Sequence, residues 1–220
     1  MKINDDFSLP PSLEEAKKIQ QKLRKQVIFE DKFSTINYVA GVDVGFQNND
    51  TITQAAVVVL NFPQLELVEI QVASIATTFP YIPGFLSFRE IPAILKVLKK
   101  LTIIPDLILC DGQGIAHPRR LGIASHLGVL IDVPTIGVAK SLFVGKHEEI
   151  PLEKGNWKPL IDKEEVIGAV LRSRTNVKPI YVSIGHKISL PTAINYVMGC
   201  LTKYRLPETT RWADKLASNK

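Results

Sequence analysis

Three consecutive β-branched runs, "INYVAGVDVGF", "QAAVVVLNF" and "LELVEIQVASIATT", are separated only by "QNND" and "PQ". Val, Ile and Thr suit a pleated, packed surface, and connections this short join neighbours that run in opposite directions. The stretch from Ile36 to Thr78 therefore predicts an antiparallel meander. Ahead of it, "SLEEAKKIQQKLRKQV" places Ser12 and Glu15 as a capping box and repeats Leu13, Ala16, Ile19, Leu23 and Val27 at helical spacing. Behind it the pattern alternates. "IPAILKVLKKL" reads as helix, "DLILC" as a buried strand, "RRLGIASHLGVLI" as helix and "PTIGVA" as a second buried strand. "VIGAVLRS" and "PIYVSIG" flank "RTNVK" as a hairpin, and helices open at Ser189 and near Pro207. An antiparallel meander followed by parallel β/α units describes an α/β fold, a mixed sheet flanked by helices. With no repeat, low-complexity tract or linker in view, residues 1–220 are expected to form a single domain.

Acidic residues interrupt the apolar strands at informative places. Asp43 sits inside "VAGVDVGF", where an uncompensated carboxylate is costly to bury and turn residues do not follow until "QNND". Asp111 follows "DLILC" and precedes "GQG", at the carboxyl end of a strand, where open α/β sheets put their sites. Read by itself it is an ordinary turn residue. Glu90 is balanced between two readings. With Ser87 it matches a capping box, but Pro92 fits only a first helical turn and moves the expected helix start towards Glu90 itself. Three carboxylates without a Cys/His cluster favour a hard cation such as Mg²⁺ or Mn²⁺ over zinc. Two such ions can activate a water and stabilise a leaving oxygen, with one carboxylate as the bridge, and Asp43 is the natural bridge. Lys140, after "PTIGVA", could orient water or offset charge; alone it would be a solvated lysine.

The formal charge of +5, from 27 basic against 22 acidic residues, suits a polyanionic partner without deciding for one. Only Cys110 and Cys200 occur, no basic apolar leader opens the chain, and no apolar run reaches the roughly 18 residues that span a bilayer. The expectation is a soluble cytoplasmic protein, without membrane partners and monomeric.

"GVDVGF", "PYIPGFLSFRE", "DGQGIAHPRRLGIASHLG" and "PTIGVAKS", in this order and spacing, closely resemble the endonuclease V family of deoxyinosine-cleaving repair nucleases. The resemblance runs from about residue 12 to 217. It implies a ribonuclease H-like fold. It further implies Mg²⁺-dependent nicking of inosine-containing DNA at the second phosphodiester bond 3′ to the lesion, leaving 3′-hydroxyl and 5′-phosphate ends; Mn²⁺ is expected to substitute, and RNA is an open second substrate. On the matching positions Asp43, Glu90 and Asp111 fall on the metal-binding acids and Lys140 on the active-site lysine. Asp214, in "LPETTRWADKL", falls on the position of the final helix that carries Asp or His.

"PYIP" at residues 80 to 83 matches the family's wedge beside the damaged base. Its two prolines restrict the backbone before binding, so Tyr81 could fill the space of an extruded base at small ordering cost. In another context an aromatic between two prolines would be read as core. Pro83, Gly84, Leu86, Gly112 and Ile123 resemble the family's substrate-binding loop and base pocket. A close pocket with no acceptor for guanine's 2-amino group excludes guanine, while adenine presents the wrong edge. Arg89 and His117 are expected to hold backbone phosphates or the strand beyond the cut; read singly, each is equally a surface residue. Two rivals stay open: an actin-like ATP-dependent phosphotransferase, which "GVDVGF" and "DGQG" also suggest but which needs two lobes, and a non-catalytic nucleic-acid-binding module, against which the intact acids count.

Overall fold

The computed structural model describes residues 7–218. Its centre is an eight-stranded sheet in the order β3-β2-β1-β4-β5-β8-β7-β6. The meander is β1 (Tyr38–Gln47), β2 (Ile52–Asn61) and β3 (Leu67–Ala76), paired antiparallel as its spacing predicts. β4 (Leu107–Asp111) and β5 (Thr135–Ala139) then add in parallel to β1. β7 (Glu165–Leu171) and β8 (Ile180–His186) form the expected hairpin, which joins β5 through β8 in antiparallel register. This is the mixed sheet that the order of elements predicts, and it agrees with the ribonuclease H-like fold that the family resemblance implies.

Successive residues of the central strands go to opposite cores. Val39, Val58, Leu60, Leu107 and Leu109 face one cluster, whereas Ala40, Val57, Val59, Ile108 and Cys110 face the other. Burial on both faces explains why these runs are apolar throughout rather than alternating. Helices α2 (Leu86–Leu98) and α3 (Ile123–Ile131) cover the second face. Helices α4 (Leu190–Gly199) and α5 (Glu208–Ala217) cover the first. α1 (Leu13–Leu23) is capped as expected, the Ser12 hydroxyl accepting from the Glu15 amide at 3.2 Å.

Three sequence expectations are corrected. α2 begins at Leu86, not near Glu90, and Pro92 lies inside it. Phe85 and Phe88 pack with Phe79 and Ala16, so burial of the first turn outweighs the hydrogen bond that Pro92 deletes. α3 begins at Ile123 after "RRLG", because Arg120 adopts a positive φ of 56° and its guanidinium ties outward to Asp162 and Glu165. A strand not anticipated, β6 (Trp157–Asp162), forms the far edge of the sheet; its Pro159 hides it in the sequence but is tolerated at an edge.

Candidate active site

In β1, β4 and β5 the charged residues continue the face that packs on α4 and α5. Val39 leads to Asp43, Leu109 to Asp111, and Ile136 with Val138 to Lys140, each by steps of two residues. Three neighbouring strands thereby deliver two carboxylates and an ammonium to one spot.

The glycines of "GVDVG" bring the third carboxylate. A Cβ on Gly41 would lie 2.1 Å from the Thr209 carbonyl, and one on Gly45 would lie 2.3 Å from the Ala217 carbonyl oxygen, closer than atoms can approach. With no side chain on either side of Asp43, α5 lies directly on the strand. Its Asp214 then places a carboxylate oxygen within 4.8 Å of those of Asp43 and Asp111. Lys140 Nζ pairs with Asp111 and lies 2.8 Å from Asp214 Oδ1. Arg205 fixes the chain behind this lysine, its NH2 donating to the Lys140 carbonyl at 2.6 Å and to that of Pro179 at 2.7 Å. Glu90 reaches the site from α2, on the other face of the sheet, and lies outside the three-acid cluster.

This cluster carries more negative charge than it can neutralise. Burial and the Asp111 charge push the Asp43 carboxyl above its ordinary range, against the Val44 amide bonded to it at 2.8 Å and the charge of Lys140. Asp111 is also raised, by burial first, although Lys140 opposes that shift. Glu90 is pushed up to about 8 by burial and then by Asp43 and Asp111. Burial disfavours the Lys140 ammonium, yet Asp111 and Asp214 hold it above its usual value. A compact set of hard oxygen donors with surplus charge suits a divalent cation of the Mg²⁺ class, and Asp43, Asp111 and Asp214 are the residues that could hold it.

A cleft of about 400 Å³ opens beside the acids, within the range of pockets that enclose small ligands. Glu90, Asp111 and Lys140 line it together with Tyr81, Pro83, Gly84 and Leu86 from the loop before α2, and with Gly112, His117 and Ile123. Tyr81 is 64% exposed, which removes the reading of it as a core residue. Gly84 has a positive φ of 82°, a turn that favours glycine. Gly112 is equally constrained, at φ 143° and with the Ile123 side chain 2.7 Å from where a Cβ would stand.

Asp43 and Asp214 stand in the acid cluster beside the cleft, whereas Arg89 is the predicted site residue that the structure brings to neither. Because α2 starts early, Arg89 is turned onto the β1–β2 connection, buried over the Phe46 ring at 4.2 Å and paired with Asp50 at 3.1 Å. His117 lines the cleft but is not a cation for phosphate: burial, with the Arg119 charge beside it, lowers its pKa to about 4. Sequence reasoning missed Gln113, Leu142 and Phe143, which also line the cleft. Leu142 and Phe143 are large apolar residues left exposed two and three positions after Lys140, and that nearness was their only signal. Gln113 donates Nε2–H to the Ser141 carbonyl at 3.2 Å, while its buried Oε1 has no hydrogen-bond partner among the described residues.

The family model described as Endonuclease V matches residues 21–215. An endonuclease V of Rippkaea orientalis is 80% identical over 220 residues, covering 100% of this chain and 96% of the relative. The crystal structure of endonuclease V from Streptomyces avermitilis superposes with a TM-score of 0.91 at 42% identity, covering 98% of this chain and 94% of that one. The Ciona intestinalis enzyme, crystallised with a 24-mer DNA containing an inosine followed by a ribo-adenosine, matches at TM-score 0.82 and 34% identity, over 93% of this chain and 95% of that one.

Proposed function

The chain belongs to the endonuclease V family, and from that premise we propose that it is a divalent-metal-dependent endonuclease acting on inosine-containing DNA. It cuts at the second phosphodiester bond 3′ to the inosine and leaves 3′-hydroxyl and 5′-phosphate ends. The observation that carries this reading is the contact between two unlike features: a three-carboxylate cluster within 4.8 Å, and a base-sized cleft whose lining includes Asp111 of that same cluster. A base drawn into such a cleft leads the strand 3′ to it past the acids. The inosine-containing DNA bound by the Ciona relative supports this substrate, and the ribo-adenosine after its inosine supports action on RNA as well.

Asp43, Asp111 and Asp214 would hold the ion, with Glu90 facing it from α2. Mg²⁺, or Mn²⁺ in its place, would activate the attacking water and neutralise charge on the phosphate. The chain's own groups do the rest. Asp43, fixed in a central strand, holds its carboxylate without an ordering cost. Lys140 sets a compact positive charge beside the scissile phosphate and returns Asp111 and Asp214 to partial neutrality when the ion is absent. Tyr81 fills the gap left by the extruded base. Gln113 offers a buried acceptor that the ring N–H of hypoxanthine can satisfy and that adenine, with an acceptor at that position, cannot. The same reading takes residues 1–220 as one domain working as a monomer in the cytoplasm.

The test is nicking of matched strands that differ only by inosine in place of adenosine, as DNA and as RNA, with Mg²⁺ or with a chelator. Cleavage confined to inosine strands and lost with the chelator is expected. Equal cleavage of adenosine strands, or ATP hydrolysis in place of nicking, would overturn it.

A further inference from the structure

The stiffness of "PYIP" restricts the shape of the loop but does not say where the loop stands. Its position is set one residue later. The Gly84 carbonyl accepts from three side chains on other parts of the chain: Gln20 Nε2 at 2.9 Å, Arg119 NH2 at 2.5 Å and His117 Nε2 at 3.1 Å.

Each donor is itself fixed. His117 Nδ1 accepts the Arg119 amide at 3.2 Å, so the ring's proton is on Nε2 and points at Gly84; burial keeps the ring neutral. Gln20 Oε1 accepts from Arg119 Nε at 2.5 Å, so the amide cannot flip without facing two donors together. The Arg119 guanidinium stacks on the Phe85 ring at 4.1 Å. Gln20 has no solvent exposure, although it lies on a helix whose other faces are charged. A fully buried amide on α1, satisfied at both ends by the recognition loop and by Arg119, is there to hold them together.

We propose that Gln20, acting with Arg119 and His117, is a positioning residue for inosine recognition: it anchors the Gly84 carbonyl and so sets the height of Tyr81 over the cleft. Gln20 lies just before the stretch matched by the family model; it does not itself line the cleft and meets the lining through the Gly84 carbonyl. Its effect is on how the base is received, and not on the cut. The inference rests on the inosine-endonuclease reading and deepens it.

Two variants separate this role from general support of the fold. Gln20→Glu keeps the acceptor for Arg119, now as an ion pair, but replaces the donor to Gly84 with a carboxylate that repels its carbonyl. Gln20→Leu removes both bonds. With Mg²⁺, Gln20→Glu is expected to weaken inosine-strand binding roughly tenfold, the effect of one lost hydrogen bond. Its single-turnover rate at saturating substrate, its affinity for the matched adenosine strand and its melting temperature should stay within twofold or within error of wild type. Gln20→Leu should weaken inosine binding at least as much. Wild-type cleavage of inosine strands is the control: its absence would refute the function, not the anchor. Wild-type cleavage together with unchanged inosine affinity in Gln20→Glu would overturn the anchor. So would a lowered melting temperature with equal losses on inosine and adenosine strands.

Discussion

Asp43 and Asp111 stand on adjacent strands of a sheet buried on both faces, and Lys140 follows the next strand directly, whereas Tyr81 stands on a loop, 64% exposed, whose place is fixed through the nearby Gly84 carbonyl. The acid end gets its geometry from strands whose preceding residues are buried in the core and from glycines that let α5 touch β1. The aromatic end gets its geometry from two prolines and three side-chain donors. On the proposed reading, charge chemistry tolerates little displacement and is carried by strands packed on both faces. Recognition, on the same reading, needs a surface that nucleic acid can reach, which the exposed loop around Tyr81 offers.

The sharpest way to break the comparison is to remove one function and look for the other. Asp43→Ala should reduce nicking to background while inosine-strand affinity, read by gel shift with Mg²⁺, stays near wild type. Next in size is Gly41→Ala, which sets a methyl against the Thr209 carbonyl and must push α5 off the strand. A loss of about 1 to 3 kcal/mol in unfolding free energy is expected from such overpacking, with nicking falling further than binding because Asp214 leaves with its helix. Urea melts and single-turnover rates on the same preparation would check it. Tyr81→Ala should spare the melting temperature and cost about 1 to 3 kcal/mol of inosine binding, more on duplex than on single strands.

The smallest effect concerns pH. Burial, with the Arg119 charge beside His117, lowers His117 to about 4, and burial lowers His126, bonded to Ser87 Oγ at 2.9 Å, to about 3. The unfolded histidines take up protons below about 6.5 and the folded ones do not, so their stabilisation is complete above that pH and lost as pH falls towards 4. The raised acids at the cleft pull the other way, because there the folded state holds the extra protons. The histidine contribution is therefore read as a difference. Between pH 7 and 4.5 the melting temperature of wild type should fall more than that of His126→Gln.

Strand runs and the Ser12 cap were legible because each is a local pattern that its own residues enforce. Asp43 was legible for the same reason, a carboxylate inside an apolar strand being locally expensive, whereas Asp111, by itself an ordinary turn residue, was legible only beside Asp43 and Glu90. Asp214 could be placed only by resemblance, since a charge on a terminal helix is unremarkable until that helix is known to lie on Gly41 and Gly45. The spacing of those glycines around Asp43 is the signal that was present and unused. The start of α2 was misread because Pro92 acts locally whereas Phe85 and Phe88 act by burial against α1 and Phe79. Arg89 reads from sequence as a ligand of phosphate or strand, or as a surface residue, because its partner, Asp50, is on a turn 39 residues away. Gln20 carried no visible signal, for its partner Gly84 is 64 residues distant.

The central claim is that the three carboxylates on this face of the sheet hold the divalent ion beside the cleft that receives the base. Anomalous diffraction from crystals grown with Mn²⁺ and an inosine-containing strand tests it most directly. The account predicts a manganese peak bounded by Asp43, Asp111 and Asp214, lost in crystals of the Asp43→Ala variant. A manganese peak elsewhere, or none at these residues under conditions in which the same crystals cut the strand, would contradict it.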